Sequence, residues 1–599
     1  MCKVPCALGR LGRLALAAVL VAACGSSKTK LTGHAFDPAD ALTTDGSYRH
    51  LYSGFLDFTA LAEKGQPDVN SGTVELDYLV KGAEAATDLS DAAETQTVRV
   101  APGDPNINDS PDPKTWPETA LFLAHPDLAN NVGTLEYVDL SPVKGWKAVD
   151  LPQGAGVPAE GFWYGAKGDE ILFIANFDST DDTGDLFWSN GTQSLQLGVG
   201  VPPRAVIFSA DRTLALVGLV QGTSCDDSGN CTYDASVAHP KGNLVAIDLK
   251  TGSKTTIASS VELYGIGTDL DFSLSAGGTL AAYVTSDGKV MAQPTGGGEP
   301  TVIAASGSAP SVSPDGKTVV YYSGDALYAW AKGVPTLLMP APDSVRPEFS
   351  PDNKWVIAFG DMSFSAGAVG TAQIISALGD QDPVSLGSDV GWDTVRFGPI
   401  DPKTKANSAM TVVSDLTSMN GMPLYSGAGN LQFGVPGLKP TQIATRIRAD
   451  DVALVDPNDA TDQNSHFAYI ASDGAGITGG NVYVTRPGGA APLKLGVNAT
   501  PGSLFTPHTV PGISALLWMV PVGAPDPAKA DLIDRQYPDC VLWGSTPAGP
   551  AKVVQHGEAN VIQALFARDG RILVLVATDS DPSKTAPKDA GIWSLPAPK

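Results

Sequence analysis

The sequence lacks the short motifs that mark several common classes of enzyme. It contains no Gly-x-Ser-x-Gly nucleophile elbow, no His-Glu-x-x-His zinc motif and no phosphate-binding P-loop. Its seven histidines are scattered, and among its 64 aspartates and glutamates no acid/base pair stands out. No catalytic residue is therefore assigned, and we expect a protein that binds rather than catalyses.

Charged residues and helical patterns are also scarce. Only 17% of the residues are charged and 43% are hydrophobic, so the chain can bury a sizeable core. Helical periodicity is nearly absent, whereas 65 glycines and 46 prolines suit many short strands joined by turns. Positive charge is the rarer sign, and the formal net charge is −25. Such an acidic surface repels phosphate backbones, which excludes nucleic acid as a partner.

One stretch of twenty residues, SVSPDGKTVVYYSGDALYAW at Ser311–Trp330, combines a tight turn with two strand patterns. In the turn, proline presets φ, aspartate bonds its own backbone and glycine adopts a positive φ without penalty. The β-branched and aromatic residues that follow favour strands. Related stretches recur along the chain, which identifies a repeated unit. Clear copies begin at Phe208, Phe272, Phe349 and Phe566, and degenerate ones include ALFLAHP, GDEILFIANF and HFAYIASDG.

The repeat reads F-S-P-D-G-K, an apolar strand, a Ser-Asp or Ser-Gly loop, Leu-Tyr and a glycine turn. This pattern resembles the TolB-like, WD-like β-propeller repeat, and Ser311–Trp330 and Phe349–Phe359 match it best. The resemblance implies an all-β fold of four-stranded antiparallel blades around a central channel. About ten candidate units are visible, more than the usual four to eight blades. We expect one propeller of seven or eight blades with long insertions, and two propellers are the alternative.

The N-terminus has the pattern of an export signal. Three basic residues among the first thirteen precede the apolar run Leu14–Val21, which is too short to span a bilayer. Residues 1–23 are therefore predicted to be a secretory signal peptide. The sequence VAACG around Cys24 resembles a bacterial lipobox, which implies cleavage before Cys24 and lipidation of its thiol. By the sorting rule that the lipobox resemblance brings with it, Gly25 in the place of an aspartate implies the outer membrane, facing the periplasm or the cell surface.

The remainder of the chain divides by composition. Residues 24–46 are small and polar and are predicted to be a flexible tether. Residues 47–112 hold apolar runs that fit either a small β-rich cap or the strand that closes the ring. Repeats dominate residues 113–599, which we assign to the propeller. Ring closure by an N-terminal strand would leave no open sheet edge.

Three cysteines remain once the signal peptide and Cys24 are set aside. Cys225 and Cys231 are separated by five residues in one loop, and disulfides form in exported proteins, so we predict that these two are bridged. Cys540 is left single beside apolar residues, where it fits a small buried side chain.

The longest acidic loops all follow the second strand of a repeat. Insertions concentrated on one face are typical of a binding rim in repeat proteins. This rim is therefore the candidate binding surface. The loops are Asn176–Asp185, Gly222–Gly242, Ser472–Gly480 and Thr578–Gly591.

One of these loops has the oxygen ligands that calcium prefers. Asp178, Asp181, Asp182 and Asp185 lie close in sequence with a glycine among them, although no glutamate closes an EF-hand loop. Two interpretations stay open, a bound Ca²⁺ and solvated turn residues. No other cofactor is implied.

These features predict a lipid-anchored envelope protein whose propeller binds or scaffolds a protein, peptide or glycan. A propeller hydrolase or lyase with a metal at the channel mouth is the alternative. Six tryptophans fall mostly on predicted strands, where they fit blade packing or a platform for sugars. They are Trp163, Trp188, Trp330, Trp355, Trp543 and Trp593.

Overall fold

A computed structural model describes the chain from residue 38 to residue 596. The ranges it leaves out are 55–58, 66–72, 82, 84–85, 95–96, 102–117, 128, 141–146, 221–223, 226–230, 233–240, 265–269, 341, 343–346, 364–368, 392–393, 399, 402, 418–427, 456–466, 473–479, 486–490, 501, 507–514, 522–539, 546–551, 556–560 and 577–589. The helices in the described part are single 3₁₀ turns at Pro38–Asp40, Pro203–Ala205 and Ala449–Asp451. None of these described helices is long and apolar enough to cross a membrane.

Strands dominate the described residues. In chain order they are β1 (Ala41–Thr43), β2 (Tyr48–Gly54), β3 (Thr59–Lys64), β4 (Thr73–Val80), β5 (Thr87–Glu94), β6 (Arg99–Val100), β7 (Thr119–Asp127), β8 (Val132–Asp139), β9 (Val149–Asp150), β10 (Val157–Pro158), β11 (Phe162–Tyr164), β12 (Ile171–Asp178), β13 (Thr183–Ser189), β14 (Ser194–Val201), β15 (Val206–Phe208), β16 (Leu214–Val220), β17 (Ser224–Cys225), β18 (Cys231–Thr232), β19 (Lys241–Asp248), β20 (Ser253–Glu262), β21 (Phe272–Leu274), β22 (Leu280–Thr285), β23 (Val290–Pro294), β24 (Thr301–Ala304), β25 (Ser308–Val312), β26 (Thr318–Ser323), β27 (Ala326–Ala331), β28 (Val334–Pro340), β29 (Glu348–Phe349), β30 (Trp355–Ser363), β31 (Val369–Ser376), β32 (Val384–Gly391), β33 (Arg396–Phe397), β34 (Met410–Thr417), β35 (Ala428–Gly434), β36 (Thr441–Arg448), β37 (Val452–Leu454), β38 (Phe467–Ser472), β39 (Gly480–Val484), β40 (Leu493–Ala499), β41 (Leu516–Pro521), β42 (Cys540–Ser545), β43 (Lys552–Gln555), β44 (Val561–Phe566), β45 (Ile572–Val576) and β46 (Gly591–Leu595).

The strands form antiparallel units of four, which we number as blades in chain order. Blades 1 to 5 are β2–β5, β6–β9, β11–β14, then β15, β16, β19 and β20, then β21–β24. Blades 6 to 9 are β25–β28, β29–β32, β33–β36 and β37–β40. Blade 10 is β41–β43, where a bridge between Phe505 and Leu517 takes the place of the first strand. Blade 11 is β44–β46 completed by β1.

Each blade packs on the next through its own hydrophobic cluster, and the last blade packs on the first. Among the described residues eleven such clusters follow the eleven consecutive blade pairs. Trp518, which is fully buried, belongs to the cluster between blades 9 and 10, and Leu51 belongs to the cluster between blades 11 and 1. The blades therefore follow one another in a closed order.

The all-β fold of four-stranded antiparallel blades confirms the fold class expected from the sequence. The number of blades differs from the seven or eight that we expected. The structure instead shows eleven successive units among the described residues, because the degenerate stretches near the N-terminus also form blades. Blades 1 and 2 are joined into one sheet by the pairing of β5 with β7, and blades 4 and 5 by the pairing of β20 with β22.

Buried serines explain why the turn between the first and second strands has the sequence Ser-Pro-Asp-Gly. The Ser313 hydroxyl accepts the N–H of Thr318 at 3.0 Å and donates to Asp315 at 2.9 Å. Gly316 lies at φ 72°, which favours glycine. The chain is therefore held in the reversal that leads from one strand into the next. The serines that accept the N–H five residues ahead in the same way are Ser209, Ser275 and Ser350.

The first and last blades are joined by the N-terminal strand. Ala41 in β1 pairs with Trp593 in β46. Gln563 then accepts the N–H of Leu51 at 2.8 Å and donates to its carbonyl at 2.9 Å. The closing strand thus comes from the segment assigned as tether, residues 24–46. Residues 47–112, whose sequence fits either a cap or a closing strand, contain blade 1 and the first strand of blade 2.

Candidate binding rim

Antiparallel strands divide the connections of every blade between two ends. We call the end that holds the first-to-second and third-to-fourth connections the turn rim. The end that holds the second-to-third connections and the links between blades is called the loop rim. Neighbouring blades are aligned at the turn rim, where the Asp315 N–H donates to the Asn353 side chain at 2.8 Å. At the loop rim the Ala309 N–H donates to Asp271 of the preceding blade at 2.7 Å.

The two rims differ in charge. By sequence, the connections that begin and end at the loop rim contain 25 aspartates and glutamates but only 7 lysines and arginines, a net charge of −18, and the described part of them contains 9 acidic and 2 basic residues. The turn-rim connections contain 19 acidic and 16 basic residues, a net charge of −3. The acidic character of the chain is therefore concentrated at one end of the blades.

The four long acidic loops predicted to share one rim do so. They join the second strand to the third in blades 3, 4, 9 and 11, so all four belong to the loop rim. Large parts of three of them lie outside the described residues. The loop of blade 3, Asn176–Asp185, is described throughout.

The carboxylates predicted to bind calcium lie in this blade 3 loop. Asp178 accepts a backbone N–H two residues ahead at 2.8 Å, and that hydrogen bond lowers its pKa. Asp185 accepts a hydrogen bond from the Asn176 side chain at 2.9 Å. Asp182 is exposed and has φ 52°. Asp181, the fourth predicted calcium ligand, lies in the same loop. Throughout the described residues, these four included, no three His, Cys, Asp or Glu side chains are grouped to hold a metal ion. The calcium site therefore stays a prediction.

The other residues predicted to carry function are described only in part. Cys24 lies outside the described residues. Cys225 and Cys231 face each other as Cα partners in the β17–β18 hairpin, which emerges from the loop of blade 4. Only their backbone is described. Directly opposite residues of an antiparallel pair have the Cα separation that a disulfide needs.

The short links between blades give the loop rim a rigid base. Asp451, at the end of the link to β37, is 3% exposed and accepts the N–H of Gly502 in the next link at 2.5 Å. Burial raises the pKa of Asp451 to about 7. Asp271 occupies the same place before β21. Neither residue is among those predicted from the sequence. The signal that marks them is an aspartate directly before the first strand of a blade.

Arginines in the first strand of the preceding blade hold two links, the one that leads to β11 and the one to β37 that contains Asp451. Arg99 donates to the carbonyls of Phe162 and Ala159, the latter at 2.9 Å, and its guanidinium stacks on the Phe162 ring. Arg396 donates in the same way to the carbonyls of Val452 and Ala449, the latter at 3.1 Å. These contacts hold the ends of neighbouring blades together beneath the loops.

The tryptophans that could have formed a sugar platform pack between blades. Five of the six lie within the inter-blade clusters or against them, and the side chain of Trp543 lies outside the described part. Packing therefore accounts for these five rings. They are Trp163, Trp188, Trp330, Trp355 and Trp593.

No family model and no curated protein matches the chain. A crystal structure of the eukaryotic initiation factor is similar with TM-score 0.38 and 12% identity, over 70% of this chain and 92% of that one. TolB from Acinetobacter baumannii is similar with TM-score 0.23 and 13% identity, over 55% of this chain and 76% of that one. The tricorn protease is similar with TM-score 0.26 and 12% identity, over 84% of this chain and 43% of that one. All three likenesses concern the fold alone.

Proposed function

We propose that the protein is a lipid-anchored bacterial envelope protein of the TolB-like propeller type, and that its loop rim binds or scaffolds a protein, peptide or glycan partner. The observation that carries the proposal is the placement of the long acidic loops at one end of a closed ring. Rigid scaffolds that present variable loops on one face are a common design for binding proteins. The Ser-Pro-Asp-Gly turns support the kinship with TolB-like repeats.

The lipobox around Cys24 supports the anchor. Lipidation there would attach several acyl chains to the mature N-terminus, which is the arrangement that gives firm rather than reversible membrane binding. The strongly negative net charge agrees with a partner that is neither nucleic acid nor an anionic membrane surface.

Site-specific photo-crosslinking in cells tests the binding rim. A photoreactive amino acid is placed at Asp287 or Asp325 on the loop rim, and at Lys317 or Lys332 on the turn rim, all of which are exposed. We expect crosslinks to one recurring envelope partner from the loop-rim positions and not from the turn-rim positions. Recurring protein or glycan adducts from the turn rim alone would refute the assignment of the binding face.

A second measurement tests the anchor. The wild-type protein should fractionate with membranes and yield an acylated N-terminal peptide by mass spectrometry, whereas the Cys24→Ala variant should yield neither. Equal membrane association of the two forms would refute lipidation at Cys24.

A further inference from the structure

The direction of β1 decides where the chain enters the ring. Asp40, just before β1, lies 3.9 Å from Lys81, which is in the third-to-fourth turn of blade 1. After β1, the carbonyl of Ser47 accepts the N–H of Gly65, in the second-to-third connection of blade 1, at 2.9 Å. The first of these contacts is at the turn rim and the second is at the loop rim. The chain upstream of β1 therefore leaves the ring from the turn rim.

We infer that the anchored protein sits with its turn rim toward the bilayer and its loop rim facing away from it. This orientation rests on the proposed lipidation of Cys24. Two independent observations carry it, namely the exit point of the tether and the charge difference between the rims.

The length of the tether limits how freely the ring can turn over. Thirteen residues, 25–37, separate Cys24 from the 3₁₀ turn that begins at Pro38; a tether of that length averages about 20 Å end to end if it is flexible, as its composition predicts, and reaches about 45 Å when fully extended. To bring the loop rim to the bilayer, the tether would have to run along the outside of a blade. Strands of six to eight residues make that path about 20 to 25 Å long. The reversed orientation would therefore consume roughly the whole average length of the tether.

Charge favours the same orientation. An anionic membrane repels the loop rim, with its net charge of −18, much more than the turn rim, with −3. The repulsion acts only at close approach, because charges are screened within about 8 Å at physiological ionic strength. It therefore disfavours contact between the acidic loops and the lipid, and it leaves those loops open to the aqueous compartment.

Energy transfer to the membrane tests the orientation with a matched pair of positions. Lys317 and Asp325 are exposed and flank the two ends of β26, so labels placed there lie at a similar distance from the ring axis and at opposite heights. Each is replaced in turn by p-azidophenylalanine that carries a donor dye. The lipidated full chain is reconstituted in vesicles of phosphatidylethanolamine and phosphatidylglycerol that contain an acceptor-labelled lipid.

A height difference of about 20 Å should make donor quenching at position 317 at least about twice that at position 325. The same proteins in detergent without acceptor lipid correct for differences between the dyes. Equal quenching, or stronger quenching at position 325, in protein that floats with the vesicles would overturn the orientation and leave the proposed anchor intact. If wild type and Cys24→Ala float alike, the anchor and the orientation both fail. Raising the salt concentration should narrow the difference without removing it, since the exit point of the tether does not depend on charge.

Discussion

Leu42 should carry much of the stability of ring closure. It is the central residue of β1 and only 8% exposed, and it packs in the cluster shared by blades 11 and 1 with Leu51 and Ile592. Replacing a buried leucine by alanine costs about 2.7 to 5.0 kcal/mol, depending on how far the site can collapse. Because β1 has only three residues and lies at the edge of its sheet, relaxation is easy there. We expect about 3 kcal/mol for Leu42→Ala.

Urea unfolding followed by tryptophan fluorescence measures this loss as a shift of the midpoint. Leu195→Ala is the matched control, since Leu195 is 49% exposed on the outer strand of blade 3 and should change stability by less than about 0.5 kcal/mol. A Leu42→Ala midpoint equal to that of the control would show that β1 adds nothing to the stability of the ring. The role of β1 in closing the ring would then be wrong.

Three further variants test single contacts. Because burial raises the pKa of Asp451 to about 7, the folded protein holds an extra proton between about pH 4 and 7 and loses stability as the pH rises through this range. Asp451→Asn should remove that loss, so its melting temperature should exceed that of wild type at pH 8 and approach it at pH 5. Ser350→Ala leaves a buried N–H without its acceptor and should cost about 2 kcal/mol in urea unfolding, whereas Ser306→Ala at an exposed site should cost almost nothing. Thiol titration of the denatured exported protein should find Cys225 and Cys231 unreactive until reductant is added, and closing so short a loop should contribute about 2 kcal/mol.

The turns were predictable because their chemistry is local. The hydroxyl of Ser313 and the N–H that it accepts are five residues apart, so the sequence of the turn is enough to predict the reversal and the strands on either side. The blade number was not predictable in the same way. Blade 2 has eighteen residues between its first two strands, 101–118, and therefore no compact turn motif. In blade 1, strand alternation is obscured by buried acids. Asp77, for example, is 1% exposed and accepts a hydrogen bond from the Tyr48 hydroxyl at 2.6 Å.

The candidate rim was predictable only in part, because the sequence reveals the order of the strands but not the contacts between blades. The position of the long loops follows from strand order alone, which the repeats reveal. The links between blades depend on contacts between residues that are far apart in sequence. Asp451 and Gly502 are separated by 51 residues, and Arg99 and Phe162 by 63. No pattern within one repeat predicts such pairs, and they became recognisable only once neighbouring blades were aligned.

The proposed anchor and the closure of the ring share one stretch of chain, so a change in closure should also change orientation. Leu42→Asp places a carboxylate among apolar side chains and should release β1 from β46. The chain would then leave the ring at Ser47, at the loop rim, instead of at Asp40, at the turn rim, so the tether would no longer hold the turn rim toward the bilayer. We expect the difference in quenching between positions 317 and 325 to shrink in this variant while lipidation persists. A difference as large as in wild type would mean that charge alone orients the ring, and removing the charge contrast by high salt would then abolish it.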